Sequence, residues 1–354
     1  MRDEDVAVAL QQEVRQALQQ GTQVCITGGG SKAFLGRAAT GQALSTQGHR
    51  GIISYDPREL VLTARAGTPL TEIEGVLAEA RQMLAFEPPH FGTHATLGGT
   101  VASGLSGPAR PYAGSVRDHT LGCRLIDGHG EILRFGGQVM KNVAGYDVSR
   151  LMVGAFGTLG VLLDVSVKVL PRPAASLTLS HPCGPAEAIS FMSSLLSRAQ
   201  PVSAAFHDGQ LCHVRIAGSE QAVRHAREQI PGDVMSDHES FWRGLREQEL
   251  PFFATRGALY RIMVRPSSPH LPLPGTWLLD WGGAQRWLIS DAPLPLIRAQ
   301  VAEAGGYVTQ FRGDDRHGQV FAPLAPPLMQ VQQRLKQMFD PHGLFNRGRL
   351  YAEM

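Results

Sequence analysis

The chain has 354 residues, 43% hydrophobic and 18% charged, the composition of an ordinary globular protein with a sizeable core. At roughly 150 residues per domain, that length predicts two domains. The formal charge of +2 is spread along the sequence, which argues against a nucleic-acid face, and no apolar run approaches the ~20 residues that span a bilayer. The N-terminus, MRDEDVAVALQQEVRQALQQ, is acidic and helical rather than a signal peptide, so the expected location is cytoplasmic. Cys25, Cys123, Cys183 and Cys212 form no CxxC pair and no HExxH is present. His90/His94 and His181/Cys183 read as isolated surface or loop residues, and no metal site is expected.

A helix over about 4–20 carries Leu10, Val14, Ala17 and Leu18 on one face and ends at Gly21. A short strand, 22–27, runs straight into Gly28-Gly29-Gly30-Ser31-Lys32. Successive N–H groups of such a loop can form an anion-binding nest, or the loop can be a plain flexible turn. It is neither a phosphate loop, lacking GK[ST], nor GxGxxG, because Ala33 stands at the last glycine position. A strand over 60–66 follows, then a helix opened by Thr68-Pro69, with Thr68 as the capping hydroxyl and Leu70, Ile73, Leu77, Ala80 and Leu84 as its buried stripe. Between Ala95 and Asp118, Gly98, Gly99, Gly104, Gly107 and Gly114 mix with Thr96, Ser103, Ser106 and Ser115. That composition suits backbone and hydroxyls lining an extended polar ligand. A hairpin over 121–135 turns at Asp127-Gly128.

Asp147 is placed to cap a short helix through Met152. Gly154, Gly157 and Gly160 then turn the chain into a strand, 161–170, which Pro171 and Pro173 end. Its alternation sets Leu163, Val165, Val167 and Val169 against Leu162, Asp164, Ser166 and Lys168, predicting one buried face. Beyond Pro173 the pattern becomes hairpins over 202–216 and 277–289, helices over 219–229, 294–304 and 327–339, and strands over 258–264 and 307–312. This predicts an α+β region on an antiparallel sheet, with domains over 1–173 and 174–354.

The three glycine elements, 28–32, 96–107 and 154–160, resemble in their order the FAD-binding domain of the vanillyl-alcohol oxidase and para-cresol methylhydroxylase superfamily. Thr96-Leu97-Gly98-Gly99 matches its T-x-G-G element, and Gly157-Thr158-Leu159-Gly160-Val161 its G-T-L-G-hydrophobic element. The resemblance is narrower still to the FAD-binding subunits of bacterial glycolate oxidases (glycolate dehydrogenases). It rests on SKAFLGR (31–37), GHRGI (48–52), YDPREL (55–60), FGGQVMKNVAGYD (135–147), LREQELPFF (245–253), LLDWGGAQRWL (278–288) and FDPHGLFNRGR (339–349). Two departures stand out. Asn346 is followed by Arg347 where the family has proline, and GDDRHG (313–318) matches poorly the histidine-rich GDGN motif of catalytic members. His317 there reads as a solvated loop residue.

The resemblance implies FAD held by Gly28, Gly29, Gly30, Ser31 and Lys32 at the pyrophosphate. It also implies cofactor contacts from Thr96, Gly98, Gly99, Ser103, Gly104, Gly107, Gly114, Asp118, Gly160 and Val161. With no His or Cys in the first loop, the FAD is expected to be noncovalent. Lys141, Asn142 and Tyr146 either orient the flavin or pin their own loop. The carboxylate-holding cation of a 2-hydroxy acid oxidase is not chosen among Arg261, Arg265, Arg312 and Arg316, and no catalytic base is assigned. The implied partners are a larger flavin subunit and an iron–sulfur subunit, with membrane association through them left open. Two readings follow: a self-sufficient 2-hydroxy acid dehydrogenase, or an FAD-binding subunit whose sister carries the acid–base site. The weak GDGN match and the lack of cysteine clusters favour the second; a flavin-free scaffold is a third. Trp277, Trp281 and Trp287 are expected in the core, with a subunit contact as the alternative.

Overall fold

Val161–Lys168 is the central strand of the first of two large sheets. The computed structural model describes residues 4–137, 147–313 and 315–354. In it this sheet runs Ile52–Asp56, Val61–Arg65, Val161–Lys168, Thr120–Ile126 and Ile132–Gly136, antiparallel throughout. The alternation of Val161–Lys168 predicted one buried face; seven of its eight residues are in fact buried. The polar side is covered because its groups find partners. Ser166 shares a hydrogen bond with Thr63, 2.8 Å, and Asp164 pairs with the Arg124 Nε at 2.6 Å and the His49 Nε2 at 3.1 Å.

Nor does the alternation hold along its length. The register with Thr120–Ile126 slips between Arg124 opposite Asp164 and Leu125 opposite Leu162, leaving Leu163 as the extra residue of a bulge. Leu163 and Val161 therefore pack with Ala7, Leu10 and Val14 of the first helix, whereas Leu162 joins Val165 and Val167 in the other core.

Helix Ala7–Gln20 ends at Gly21, φ 63°, as its sequence predicts. The helix after Thr68 spans Leu70–Glu79, but the cap there is a correction. The Thr68 hydroxyl instead accepts from the Gly51 N–H, 2.9 Å, and donates to the Gly51 carbonyl, 3.2 Å, tying the helix start to a neighbouring loop. Asp147 does cap, accepting from the Arg150 N–H at 3.1 Å.

The second sheet, eight strands among the described residues, takes the order Asp233–Val234, Ala175–Pro182, Leu211–Gly218, Val202–His207, Thr276–Asp280, Gln285–Ile289, Leu259–Met263, Tyr307–Arg312. Its pairings are antiparallel. Both predicted hairpins form. Asp208 Oδ1 accepts from the N–H groups of Gln210 and Leu211 in one turn, and Gly282 and Gly283 take φ 64° and 94° in the other. Helices Pro185–Leu196, Glu220–Gln229 and Leu294–Glu303 pack on this sheet. The last helix, Pro326–Phe339, ends against the first half, where the Phe339 carbonyl accepts from the Gly128 N–H at 2.8 Å and, further on, Phe345 bridges Val24 in parallel. Among the described residues no helix is long and apolar enough to cross a membrane.

Candidate functional site

Strand Val24–Thr27 pairs in parallel with Gln42–Ser45 and delivers the chain into Gly28–Lys32 at the wall of a cleft. The cleft encloses ≈1090 Å³ of space including its open mouth. Gly28, Gly29, Gly30, Ser31, Lys32, Thr96, Gly98, Gly99, Ser103 and Gly160 all line it, so parts of all three glycine elements meet there. Side chains are excluded by contact. A Cβ on Gly29 would lie 1.4 Å from the His94 carbonyl oxygen, one on Gly28 would lie 2.8 Å from Thr96 Oγ1, and one on Gly98 2.6 Å from the Ala66 Cβ. Gly30 takes φ 74°, and among the described residues nothing accepts a hydrogen bond from the N–H groups of Gly29, Gly30 or Ser31. Unpaired main-chain donors around a left-handed residue make the concave nest that receives phosphate oxygens. These residues fit an FAD pyrophosphate.

Lys32 stands beside this nest with its Nζ 3.3 Å from Ser31 Oγ, 3.4 Å from the His90 carbonyl and 5.7 Å from the Phe91 ring centroid. Burial pulls its pKa down to about 8 against the opposing charge of Glu247. The Glu247 carboxylate meanwhile accepts from the N–H groups of His90, 3.0 Å, and Phe91, 2.7 Å, fixing the loop that carries them.

Five predicted contacts do not line the cleft. Gly104, φ 67°, ends helix Leu97–Ser103, and a Cβ there would meet Gly154 Cα at 3.1 Å. Gly107 lies against the Glu87 carbonyl, and its own carbonyl accepts from Trp281 Nε1 at 2.9 Å. Gly114 precedes a capping box in which Asp118 Oδ2 accepts from the N–H, 2.8 Å, and hydroxyl, 2.7 Å, of Ser115. Val161 is packed in the core beneath the first helix. Lys141, Asn142 and Tyr146 lie outside the described residues.

Asn346 is a cleft residue that sequence reasoning passed over. Its N–H donates to the Val24 carbonyl, 2.9 Å; its Oδ1 accepts from the Ile26 N–H, 2.7 Å; and its Nδ2 donates to the Phe156 carbonyl, 2.6 Å. Asn346 and Phe156 both hold positive φ, 41° and 52°, the kind of strain that gathers at binding sites. Lys336 locks the same corner: its Nζ donates to the carbonyls of Thr158, 2.7 Å, and Phe345, 2.8 Å, and pairs with Asp340 at 2.6 Å. Arg349, after the departure at Arg347, reaches the carbonyls of Leu35 and Arg37, both at 2.6 Å. The available signal was the C-terminal motif FDPHGLFNRGR, which gave no hint of where it docks.

A second, smaller cleft, ≈360 Å³ including its mouth, lies beside Phe91, Leu105–Pro108 and the second sheet, with Arg261, Asp280 and Gln285 in its wall. Arg261 Nε donates to Gln285 Oε1 at 2.6 Å, and Gln285 Nε2 donates to Asp280 Oδ2 at 2.9 Å. Burial pushes Asp280 up to about 6 and pulls Arg261 down to about 10. Two guanidinium groups lie over the Trp281 ring, Arg110 at 4.4 Å and Arg261 at 5.0 Å from its centroid. It and Trp287 are buried, as core residues, and Trp277 is half-buried. Of the other candidate cations, Arg265 is exposed, Arg312 is spent on Gln248 Oε1 at 2.6 Å, and Arg316 on the Gly36 carbonyl at 3.0 Å. His317 is exposed.

Residues 7–136 match a family model described as an FAD binding domain. Over all 354 residues, and over the full length of both proteins, the chain is 50% identical to glycolate oxidase subunit GlcE of Escherichia coli. The chain belongs to this family. Within the wider superfamily of FAD-dependent oxidoreductases it is also 33% identical to glycolate oxidase subunit GlcD of Bacillus subtilis, over 36% of this chain and 27% of that protein. A D-lactate dehydrogenase of Anaerostipes hadrus is 30% identical over 37% of this chain and 27% of its own length. The fold is that of alkyldihydroxyacetonephosphate synthase, TM-score 0.67 at 14% identity, covering 96% of this chain and 75% of that one. The para-cresol methylhydroxylase type of FAD-binding fold, followed by an α+β region on an antiparallel sheet, is therefore the fold of this GlcE-family chain.

Proposed function

We propose that this chain is the FAD-binding subunit of a multi-subunit glycolate (2-hydroxy acid) oxidase, holding FAD noncovalently and passing electrons within the complex. The observation that carries the reading is the cleft where parts of three glycine elements meet and where Gly28, Gly29 and Gly98 leave no room for a side chain. FAD, when bound, supplies the electron sink for oxidation of a CH–OH group. The chain's own part is to seat the pyrophosphate on the N–H groups of Gly29, Gly30 and Ser31, add the charge of Lys32, and close the corner with Asn346. The first loop offers no His or Cys for a covalent link; Cys25 lies in the strand before it. In this reading residues 1–173 hold the cofactor and 174–354 cap it and meet the partners, with the segment after Asp340 reaching back to the cofactor.

The small cleft supports the division of labour. It has a cation in Arg261, but no histidine among its lining residues to take a hydroxyl proton, and Asp280 already accepts from Trp281 N–H and Gln285. An exposed apolar stripe, Leu328, Val331 and Met338 on one side of helix Pro326–Phe339, supports contact with a sister subunit. A larger flavin subunit and an iron–sulfur subunit would be the partners, and any membrane association would be theirs.

The test is to purify the chain alone, load it with FAD and add glycolate anaerobically, then repeat with the sister flavin subunit. Bleaching of the flavin only in the presence of the sister is expected. Rapid bleaching by the isolated chain would replace this reading with a self-sufficient dehydrogenase, and failure to take up FAD would leave a flavin-free scaffold. Flavin released by acid precipitation would bear out the noncovalent link.

A further inference from the structure

At one end of the second sheet the inward row changes from aliphatic to metal-binding side chains. The register sets Leu177 opposite Ile216, Leu179 opposite Val214, and then His181 opposite Cys212, which in turn faces His207 on the next strand. Cys183 lies one residue past the strand's end at Pro182. Its N–H donates to the Gln210 carbonyl at 3.1 Å, keeping it beside the neighbouring strand. The ligand atoms of His181, Cys183 and Cys212 all lie within 4.8 Å of one another. Zinc bound tetrahedrally at ~2.3 Å from sulfur and ~2.0 Å from nitrogen holds its ligand atoms roughly 3.5–3.8 Å apart. Side-chain movement of about 1 Å would close the site on that geometry.

We propose that His181, Cys183 and Cys212 bind one zinc(II) ion, leaving its fourth position open. The set of two sulfurs and one imidazole is borderline-soft and suits zinc over magnesium or calcium, which take oxygen. His181 Nδ1 is buried with no hydrogen-bond partner, a cost that ligation, directly or through its other nitrogen with a second-shell partner, would remove. The ring is held edge-on to Phe191, centroids 4.6 Å apart, and burial lowers its pKa, keeping the neutral form that ligates. His207 is already committed and acts as a brace: its Nε2 donates to the Cys183 carbonyl at 3.0 Å, and its Nδ1 accepts from the Gly209 N–H at 3.3 Å. Cys212 is fully buried and Cys183 half-buried. Glu187, in the first turn of helix Pro185–Leu196, acts by charge on both His181 and Cys183. The other titratable neighbours are Asp208, His207 and His213. Burial raises both thiols, so the ion must displace two protons: Zn²⁺ plus two R–SH gives the bis-thiolate complex and two H⁺, and binding tightens with pH.

None of these residues lines the glycine cleft, so the proposal stands apart from the cofactor reading. The full chain, purified under reducing conditions and stripped with a chelator, is titrated with cobalt(II) and then zinc(II), with FAD content measured alongside. One equivalent of cobalt with a sulfur-to-cobalt charge-transfer band and intense tetrahedral d–d bands, displaced by zinc, is expected. Cys183→Ser and His181→Ala should each lose affinity at least about tenfold while keeping the parent circular dichroism, and Cys123→Ser should retain the band. Three results would each overturn the site: no sulfur–cobalt band in the folded, reduced chain; a band unchanged in Cys183→Ser; or a Cys183–Cys212 disulfide in chain alkylated at lysis.

Discussion

Lys32 sits where burial and an expected anion pull its protonation in opposite directions. In the free chain its pKa is about 8, with desolvation the leading cause. A diphosphate beside it would favour the charged form and raise that value, so FAD binding above pH 8 takes up a proton. Cofactor affinity should therefore fall as pH rises from about 8 towards 10, and Lys32→Met should flatten the profile. The free chain's stability runs the other way. Its native pKa lies below the ~10.4 of an unfolded lysine, so the unfolded state binds more protons in that window and stability rises with pH across it. Fluorescence titrations of FAD at pH 7, 8 and 9 check the sign, and an unchanged slope in Lys32→Met would remove Lys32 from the site. Gly29 and Gly30 separate steric from conformational demands in the same loop. Gly29→Ala drives a Cβ into the His94 carbonyl and should cost at least tenfold in FAD affinity. Gly30→Ala meets nothing within 4 Å and should pay only the ~1–2 kcal/mol of a left-handed alanine, read in chemical denaturation.

At the scale of elements, the corner between helix Pro326–Phe339 and the turn at 156–160 depends on one buried pair. Asp340 is 1% exposed and accepts from the N–H groups of Leu344 and Phe345, both at 2.8 Å, while Lys336 satisfies its remaining charge. Lys336→Met leaves that carboxylate buried without its cation and should cost about 3–5 kcal/mol in urea unfolding. On the exposed face of the helix, Leu328→Glu with Met338→Glu touches residues 56% and 72% exposed. Stability should stay within about 0.5 kcal/mol, while co-purification with the proposed sister flavin subunit is lost. Hairpins and caps here were legible because their signals are local: Asp-Gly turns at 127–128 and 208–209, and Asp147 ahead of its helix. Leu163 was not, because a bulge is set by the partner strand's register and leaves no mark on the alternation of its own. Thr68 misled for a similar reason, since a Thr-Pro start reads as a cap until Gly51 is found within reach of the hydroxyl. The glycine cleft was legible in part. Gly28–Lys32 and Thr96–Gly99 could be placed from their motifs, but Gly104 and Gly114 carry the same composition while serving a helix end and a turn.

For the whole molecule, the decisive contact joins residues 320 positions apart, Asn346 with Ile26. No periodicity or composition could announce it, because Asn346 is recognised by main-chain groups, the Val24 carbonyl, the Ile26 N–H and the Phe156 carbonyl, that every sequence possesses. Two glycine elements far apart in the chain are thereby held to one corner by a segment that follows the second sheet. A chain ended after Asp340 should keep the second sheet, whose strands all lie before that point, yet lose the wall of the cleft formed by Asn346 and Arg349. Added FAD at a hundredfold excess over its Kd should stabilise the full chain by about 2.7 kcal/mol and raise its melting temperature. The shortened chain should show no such shift while retaining the strand signal in circular dichroism. Equal stabilisation of both would mean that the glycine loops hold the cofactor unaided and that the C-terminal return serves the fold alone.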